Sequence, residues 1–336
     1  MTNPVFTIIA PIFNELENLP LLYARVREEL DKTEQTWELI MVDDGSRDGS
    51  TEVIRKLAAS DERVRPVIFA RNFGHQIAVS AGLDYSRGDA VIIIDSDLQD
   101  PPEVIGELIA KWREGFEVVY AVRTEREGET KFKTQTAALF YRMIDRITDV
   151  KIPLDTGDFR LMDRKVVNVM VAMREHNRFL RGMSAWTGFR QIGVGYKRKA
   201  RHAGVTKYPL KKMLRLAMNA VTGFSMWPLQ LATRLGAALG VLGLLAIPVV
   251  VILHVVVGVR FHGLATLAIL MTLLSALILV FLGVIGEYLG RVYDEAKNRP
   301  LYIVAEGPRQ PFNPIRLDLP ADANTKDTNY QTRSQQ

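Results

Sequence analysis

Apolar residues along the first 200 positions follow two alternating patterns. Short runs of Val, Ile and Leu without a polar face predict strands covered on both sides, and apolar residues that recur every three or four positions predict amphipathic helices. Strands are predicted over residues 5–13, 38–42, 66–70, 90–94 and 116–122, from Asp155, and over 190–201. Because helical patterns separate the first five strands, the sequence predicts an α/β fold with a Rossmann-like, mainly parallel sheet and helices on both faces.

Start signals help to place the predicted helices. Asn14 and Glu17 have the spacing of a capping box, so the first helix is predicted to follow directly and to bury Leu16 together with four later apolar residues. Asp100, ahead of two prolines, is interpreted as the N-cap of a later helix. The other helices are predicted over residues 50–59, after Gly74, and over 102–114, 132–147 and 164–173.

Two long apolar segments, residues 235–259 and 264–286, dominate the chain beyond residue 230. Neither holds an Asp, Glu, Lys or Arg in its interior, and each exceeds the roughly 20 residues that a helix needs to cross a bilayer. A pair of buried core helices is the alternative. Residues 207–227 mix basic with apolar and aromatic residues, as in a helix that lies in a membrane interface. The predicted segments are 1–200, 201–230, 231–288, 289–310 and a disordered polar tail, 311–336.

The distribution of charge predicts how the chain is oriented in the membrane. The formal net charge of +5 fits either nucleic acid or an anionic membrane, and the two apolar spans favour the membrane, so no nucleic acid is expected as a partner. Basic residues are frequent before Arg234 and after residue 290, whereas the turn between the spans carries only Arg260 and His262. The positive-inside rule therefore predicts that both ends of the hairpin, and the α/β domain, face the cytoplasm.

The candidate chemistry begins where the strand over 90–94 ends. Asp95 and Asp97 are two residues apart, so in an extended segment their side chains, and that of Gln99, would point to the same side. Mg²⁺ or Mn²⁺ could bind between the carboxylates and keep its other positions for water and phosphates. The alternative is a turn that only precedes the next helix.

Other strand ends carry polar groups that could meet this acidic pair. Ligands of parallel sheets bind outside the carboxyl ends of the strands, and Asp43 and Arg123 follow two further predicted strands. Residues 124–133 are charged and nearly free of apolar anchors, which predicts a mobile loop that could act as a lid.

The ordered motifs resemble those of a known family, the inverting, GT-A-fold polyprenyl-phosphate glycosyltransferases, which include dolichyl-phosphate mannose synthase and the bactoprenol glucosyltransferases. The resemblance covers residues 5 to about 305. Its motifs are Pro11-Ile12-Phe13-Asn14-Glu15, Val42-Asp43-Asp44-Gly45-Ser46, Arg71-Asn72-Phe73-Gly74, Asp95-Ser96-Asp97-Leu98-Gln99-Asp100-Pro101-Pro102, Thr156-Gly157-Asp158-Phe159-Arg160, and Arg201 ahead of Gly204, Lys207 and Tyr208.

The resemblance implies a role for each matching residue. Asp95, Asp97 and Gln99 would bind the metal and the donor diphosphate, and Arg123 would grip a phosphate. Asp158 would be either a general base or a carboxylate that positions the donor sugar. The residues implied in nucleotide-sugar binding are Pro11, Phe13, Glu15, Asp43, Asp44, Arg71, Asp95 and Gln99. The cations implied in binding the acceptor phosphate are Lys131, Lys133, Arg201 and Lys207, each with a solvated surface cation as the alternative.

The implied reaction is metal-dependent transfer of a hexose from a nucleotide sugar to a polyprenyl phosphate, such as undecaprenyl phosphate, with inversion. UDP-glucose is the expected donor, and GDP-mannose or a UDP-amino sugar is the alternative. A homo-oligomeric enzyme in the bacterial inner (plasma) membrane, with its catalytic domain in the cytoplasm, is expected. A membrane-anchored nucleotide-binding scaffold without activity is the other possibility from a different class.

Overall fold

The computed structural model of the protein describes residues 3–126, 156–198, 227–256 and 263–308. Its centre is one eight-stranded sheet, which places apolar strands between layers of helices. The strands are β1 (Phe6–Ile12), β2 (Trp37–Asp43), β3 (Val64–Phe69), β4 (Ala90–Ile93), β5 (Val118–Arg126), β6 (Thr156–Asp163), β7 (Gln191–Arg198) and β8 (Val304–Glu306).

The sheet has the order β7-β5-β6-β4-β1-β2-β3-β8. Strands β4, β1, β2 and β3 are parallel, as the alternating pattern predicts, and every residue of β1, β2 and β4 is buried. Strand β6 runs antiparallel to both neighbours, and β8 runs antiparallel to β3. The parallel centre brings the ends of β1 to β4 to one edge, where the predicted site residues lie.

Helices cover both faces of this sheet and join its parallel strands. For the helices in the described part of the chain, the predicted positions are confirmed within a few residues, apart from the start of the first helix. The helices are α1 (Leu19–Asp31), α2 (Ser50–Ser60), α3 (His75–Tyr85), α4 (Ile105–Arg113), α5 (Arg164–Ala172), α6 (Leu180–Trp186), α7 (Trp227–Val255) and α8 (Gly263–Ala296). A short 3₁₀ turn, Pro102–Val104, precedes α4.

The predicted start of the first helix is wrong by one turn. Helix α1 begins at Leu19 after Asn18, and no side chain caps it. Asn14 instead has a positive φ of 54°, because the chain turns sharply where β1 ends. Leu16 is consequently 38% exposed rather than buried. The capping-box pattern is present, but Asn14 forms hydrogen bonds with Ser46 and Arg47, in the loop that follows β2.

The predicted loop over 124–133 begins later than its charge pattern suggested. Strand β5 continues to Arg126, because its last residues pair with β7. The rest of that loop, the helix predicted over 132–147 and residues 207–226 of the amphipathic segment lie outside the described residues. So do the tail beyond residue 308 and the turn between the two apolar helices.

Two long helices follow the sheet along the chain and expose most of their apolar side chains. Leu244 of α7 is 70% exposed and Leu279 of α8 is 68% exposed. Residues Trp227–Ala246 and Leu270–Ala296 are each long and apolar enough to cross a membrane. Pro228 is in the first turn of α7, where proline is tolerated.

A buried carboxylate secures the edge of the sheet opposite the site. Glu38 of β2 is 2% exposed and accepts hydrogen bonds from Thr7 Oγ1 at 2.7 Å and from the Arg87 side chain at 2.6 and 2.9 Å. Arg65 donates to the same carboxylate at 2.8 Å. Burial opposes its ionisation, but the two arginines lower the pKa of Glu38 below its usual value. These contacts join β1, β2 and β3 to the segment ahead of β4.

We expect Glu38→Gln to lower the free energy of unfolding by about 2 kcal/mol, because two arginines lose their anionic partner. The matched control is Glu103→Gln, which breaks the ion pair with Arg25 at a glutamate that is 49% exposed. That change should cost less than about 1 kcal/mol. Denaturant titration of the purified protein measures both values. Equal losses in the two variants would contradict the stabilising role of Glu38.

Candidate active site

A cavity of about 530 Å³ opens at the carboxyl ends of β1, β2 and β3. Its walls come from the loops that follow these strands and from the start of α2. The lining residues are Phe13, Asn14, Asp43, Gly45, Ser46, Arg47, Thr51, Ile68, Phe69, Ala70, Arg71 and Asn72. Three of the residues implied in nucleotide binding, Phe13, Asp43 and Arg71, therefore line one cavity, and two more, Glu15 and Asp44, directly follow lining residues along the chain. This volume and the mixed polar and aromatic lining suit a small ligand.

Asp43 and Asp44 have different roles in shaping the cavity. Asp43 lines it and accepts hydrogen bonds from the Ser46 amide at 2.9 Å and from the Thr51 hydroxyl. Asp44 is 3% exposed and accepts from the amides of Phe73 and Gly74, at 2.6 and 3.0 Å. Burial raises the pKa of Asp44 despite those bonds. Asp44 therefore holds the start of α3 beside the cavity.

Gly45 allows two of these loops to approach closely. It has a φ of +74°, and a Cβ built on it would lie 2.8 Å from the backbone of Arg71 and Asn72. Any side chain at this position would push the β3–α3 loop away from the β2–α2 loop. The cavity therefore depends on a glycine in this motif.

The acidic motif forms a turn rather than the extended segment that was expected. Strand β4 ends at Ile93, Ser96 and Asp97 lie in a turn, and Leu98 has a φ of 60°. The Ser96 hydroxyl donates to Pro11 O at 2.8 Å, and the Gln99 amide donates to Asp97 Oδ1 at 3.1 Å. The expectation that alternation alone points Asp95, Asp97 and Gln99 to one side is wrong, because alternation requires an extended backbone.

Asp95 lies in a crowded acidic environment. Burial, together with the charges of Asp100, Asp158 and Asp97, raises its pKa to about 7, although His75 opposes the shift. Its Oδ1 is buried and accepts no hydrogen bond from the described residues, and His75 Nε2 lies 3.6 Å away. A carboxylate oxygen in this state would gain from a bound cation.

Asp158, on β6, is held by three side chains from elsewhere in the fold. Its Oδ1 accepts from Arg181 Nε at 2.7 Å. Its Oδ2 accepts from Gln76 Nε2 at 2.9 Å and lies 3.1 Å from His75 Nε2. Asp158 is 5% exposed. Burial opposes ionisation, but Arg181 and His75 together hold the pKa of Asp158 well below its usual value.

His75 links the two acidic groups. Burial alone would lower its pKa, but the hydrogen bond to Asp158 and the charge of Asp95 raise the pKa of His75 to about 9. The imidazolium is therefore a cation at neutral pH, and it lies at the first position of α3. Gln76, the next residue, also accepts from the Leu180 amide at 2.9 Å, which fixes α6 and its Arg181 beside Asp158.

Arg123 is held beside a second acidic group. Its Nε donates to the Tyr196 hydroxyl at 3.2 Å, and that hydroxyl donates to Asp100. Although burial opposes it, the charge of Asp100 raises the pKa of Arg123. Gly157 makes room for this guanidinium, since a Cβ there would lie 2.8 Å from Arg123 Nη2. The interpretation of Asp100 as an N-cap is wrong, because Pro101 occupies that position and Asp100 is buried next to Arg123 and Tyr196.

The structure thus brings several predicted residues to one edge of the sheet. Asp43 ends β2, and Asp95 and Asp97 follow β4. Arg123 lies in β5 and Asp158 in β6. Pro11 is buried in β1, and Glu15 accepts from the Asn18 side chain at 2.6 Å. Arg71 is exposed, with its guanidinium 4.0 Å above the Phe73 ring. The predicted acceptor-binding residues Lys131, Lys133, Arg201 and Lys207 lie outside the described residues.

Sequence reasoning missed a second group of site residues. They are His75, Gln76, Asp100, Arg181 and Tyr196. His75 and Gln76 directly follow the motif ending at Gly74, so their position was a usable signal. Arg181 and Tyr196 are contributed by elements distant in sequence, and no local pattern marks them.

The donor set at the acidic edge fits a hard divalent cation. Asp95 and Asp97 supply carboxylates, and the Asp95 Oδ1, which accepts no hydrogen bond from the described residues, is the type of ligand that Mg²⁺ or Mn²⁺ prefers. The described residues hold no group of three His, Cys, Asp or Glu side chains arranged to bind a metal. An ion held by Asp95 and Asp97 would take its remaining ligands from water and substrate phosphates.

Comparison with known proteins gives the class of this site. The family model described as glycosyl transferase family 2 matches residues 7–170. An uncharacterized glycosyltransferase, YkcC of Bacillus subtilis, is 52% identical over 89% of this chain and 93% of its own length. The SfII prophage-derived bactoprenol glucosyl transferase of Shigella flexneri is 40% identical over 90% of this chain and 98% of its own.

The fold and these relatives define a glycosyltransferase with a GT-A-type α/β domain. The chain belongs to glycosyl transferase family 2. The resemblance stated from the motifs is therefore confirmed at the level of family, fold and enzyme class.

Proposed function

We propose that this glycosyltransferase moves a hexose from a nucleotide sugar, UDP-glucose, to a polyprenyl phosphate such as undecaprenyl phosphate, with inversion at the anomeric carbon. The observation that carries the proposal is the carboxyl edge of the sheet, where a cavity of about 530 Å³ lies at the ends of β1, β2 and β3 and a charged cluster of Asp95, Asp158, His75 and Arg181 lies beyond the end of β4. The cavity would take the nucleoside, and the charged cluster would take the diphosphate and the sugar.

The cavity offers suitable partners for a nucleoside. Asp43 and the Ser46 and Thr51 hydroxyls provide hydrogen-bonding groups, and Phe13 and Phe69 provide aromatic surface. Phe13 is 38% exposed at the rim, so a base could pack on it without displacing a core residue. This supports a nucleotide on the β1–β3 side and leaves the diphosphate to reach Asp95, Asp97 and Gln99.

A divalent cation bound by Asp95 and Asp97 would stabilise negative charge on the leaving diphosphate. Arg123 is preorganised for the same purpose, because Tyr196 and Asp100 fix its position before any substrate arrives. Charge builds on the diphosphate as the glycosidic bond breaks, so fixed cations favour the transition state over the ground state.

Asp158 fits the positioning role better than that of a base. Its two oxygens accept from Arg181, Gln76 and His75, which stabilise the ionised form and reduce its tendency to take a proton. A phosphate monoester with a second pKa near ~6 is mostly ionised at neutral pH, and so needs no base to become a nucleophile. Asp158 then orders Arg181 and His75, and through them the donor sugar.

The polyprenyl acceptor is supported by two features. Relatives at about 40% identity over nearly their whole length are named bactoprenol glucosyl transferases. The two apolar helices α7 and α8 could hold the enzyme in the bilayer that contains such a lipid. We place the α/β domain in the cytoplasm, where nucleotide sugars are made, with the hairpin in the bacterial plasma membrane.

This orientation predicts which positions an impermeant reagent reaches. In a chain without native cysteine, Gly263→Cys at the start of α8 should be labelled in intact cells by a membrane-impermeant thiol reagent. Glu28→Cys, on the exposed side of α1, should be labelled only after lysis. Labelling of position 28 and protection of position 263 in intact cells would reverse the orientation.

A donor screen tests the function. Membranes containing the protein are mixed with undecaprenyl phosphate and, separately, with labelled UDP-glucose, UDP-N-acetylglucosamine and GDP-mannose. We expect label in the lipid fraction with UDP-glucose, dependent on Mg²⁺ or Mn²⁺. Transfer from GDP-mannose or the amino sugar alone would keep the reaction class and change the donor. Absence of lipid label with all donors, alongside nucleotide binding, would instead support a scaffold without activity.

A further inference from the structure

Strand β8 follows the second long apolar helix and pairs with the strand end that forms one wall of the cavity. Residues 68–70, which line the cavity, end β3, and β8 pairs with this end through Ile68 with Glu306 and Phe69 with Val304. The Ala70 amide also donates to Ile303 O at 3.0 Å. Three consecutive cavity residues therefore have their backbone paired with the segment that leaves α8.

The side chain of Tyr302 also attaches this segment to the α/β domain. Its ring stacks on Phe69 with centroids 5.2 Å apart and an interplanar angle of 16°. Its hydroxyl donates to Asp84 Oδ2 at 2.7 Å, and Arg174 donates to the same oxygen at 2.9 Å. Asp84 belongs to α3, whose first residue is His75. Tyr302 thus contacts both the wall of the cavity and the helix that supplies two site residues.

The end of α8 is attached to the α/β domain as well. Glu295 accepts from the backbone amide of His176 at 2.7 Å and lies 2.9 Å from its Nδ1, and Arg299 O lies 2.9 Å from its Nε2. Strand β8 begins at Val304, nine positions after Glu295, so the helix end and β8 are held at two nearby places. The apolar hairpin and the cavity wall are consequently parts of one connected arrangement.

We propose that Tyr302 is a positioning residue for the donor. By holding the end of β3 and α3, it sets the shape of the cavity, so donor affinity depends on a segment delivered by the second apolar helix. The inference rests on the proposed function, in which the cavity takes the nucleoside. It adds a residue that contacts no substrate and lies more than 200 positions along the chain from the nucleotide motifs.

The kinetic test compares Tyr302→Ala with Glu306→Gln. The first removes the stack on Phe69. The second breaks the exposed ion pair between Glu306, at the end of β8, and Arg55 of α2 without removing a backbone hydrogen bond. We expect Tyr302→Ala to raise the KM for the nucleotide sugar by about three- to tenfold, the range that the loss of an aromatic pair gives. The kcat and the KM for undecaprenyl phosphate should change by less than about twofold, as should all constants of Glu306→Gln.

A purely structural role would give a different result. It would lower the amount of active protein, and hence the apparent kcat, without changing the donor KM, and that outcome would overturn the proposal. An unchanged donor KM in a well-folded variant would overturn it too.

A measurement on the unaltered full chain covers the case in which Tyr302→Ala does not fold. If docking of β8 favours the nucleotide, the nucleotide must favour docking of β8 by the same factor. We expect UDP alone to slow amide exchange over residues 300–308 as well as over residues 43–51, and undecaprenyl phosphate alone to leave residues 300–308 unchanged. Protection of residues 43–51 without protection of 300–308 would overturn this inference alone. If neither UDP nor GDP protected residues 43–51, the proposal that the cavity binds the nucleoside would be wrong, and the inference about Tyr302 would be wrong as well.

Discussion

Asp97→Asn should reduce transfer by about a hundredfold or more while the protein still folds and enters the membrane. The amide is a weaker ligand for a hard cation than the carboxylate, and stabilisation of the leaving diphosphate weakens accordingly. Asp97 is 8% exposed in a turn at the edge of the sheet, and its hydrogen bond from the Gln99 amide can be kept by the side-chain oxygen of asparagine. Loss of activity should therefore occur without loss of fold.

Asp89→Asn is the matched control. Asp89 is exposed and immediately precedes β4, at the opposite end of the strand from Asp97. It should retain wild-type rates. Initial rates are measured over a range of Mg²⁺ and Mn²⁺ concentrations, and Asp97→Asn should need more metal for half-maximal activity. Full activity of this variant in the presence of a chelator would show that the acidic pair only shapes the turn.

Asp158→Asn should also lower the rate by about a hundredfold, for a different reason. Arg181, Gln76 and His75 all present donors to this carboxylate, and an asparagine can accept at only one of its two terminal atoms. One or two donors would then face an NH₂ group, so Arg181 and His75 would lose their fixed positions. We expect the donor KM to rise and the kcat to fall together.

The pH profile separates positioning from base catalysis in this variant. If the lipid phosphate is its own nucleophile, the rate should rise with pH through the lipid phosphate titration near ~6 and then remain level. Asp158→Asn should keep the same midpoint at a lower rate. Normal binding of both substrates, combined with loss of the pH-dependent limb and rescue by an added external base, would identify Asp158 as the base.

Much of the α/β core was predictable because local pattern and long-range burial agree there. The runs that became β1, β2 and β4 are apolar on both faces, and all their residues are buried in the parallel centre of the sheet. Because these strands are parallel, the loops that follow them all lie at the carboxyl edge of the sheet. Asp43 and Asp95 could be placed at that edge by this reasoning alone.

The failures occur where tertiary contacts override a local signal. Asn14 had the composition of a helix cap, but hydrogen bonds with the β2–α2 loop hold it at a positive φ. Asp100 also had the residue type and position of a helix cap. It is instead buried beside Arg123 and Tyr196, where it accepts a hydrogen bond from the Tyr196 hydroxyl. The Asp95–Asp97 alternation assumed an extended backbone that ends at Ile93.

Other features had no local signal to find. Strand β8 is three residues long, and its pairing with β3 joins positions more than 230 residues apart. Arg181 reaches Asp158 from a seven-residue helix whose position depends on Gln76. Contacts of this type depend on the assembled sheet, so a pattern read over neighbouring residues does not contain them.

The central claim is that a hexose passes from a nucleotide to a lipid phosphate. Its most direct test uses the purified full chain, UDP-glucose, undecaprenyl phosphate and Mg²⁺, with mass spectrometry of the lipid and measurement of released UDP in the same reaction. We predict one hexose added to the undecaprenyl phosphate for each UDP released, and both products formed about a hundredfold or more slowly with Asp97→Asn. Release of UDP with free glucose and an unmodified lipid would contradict the claim.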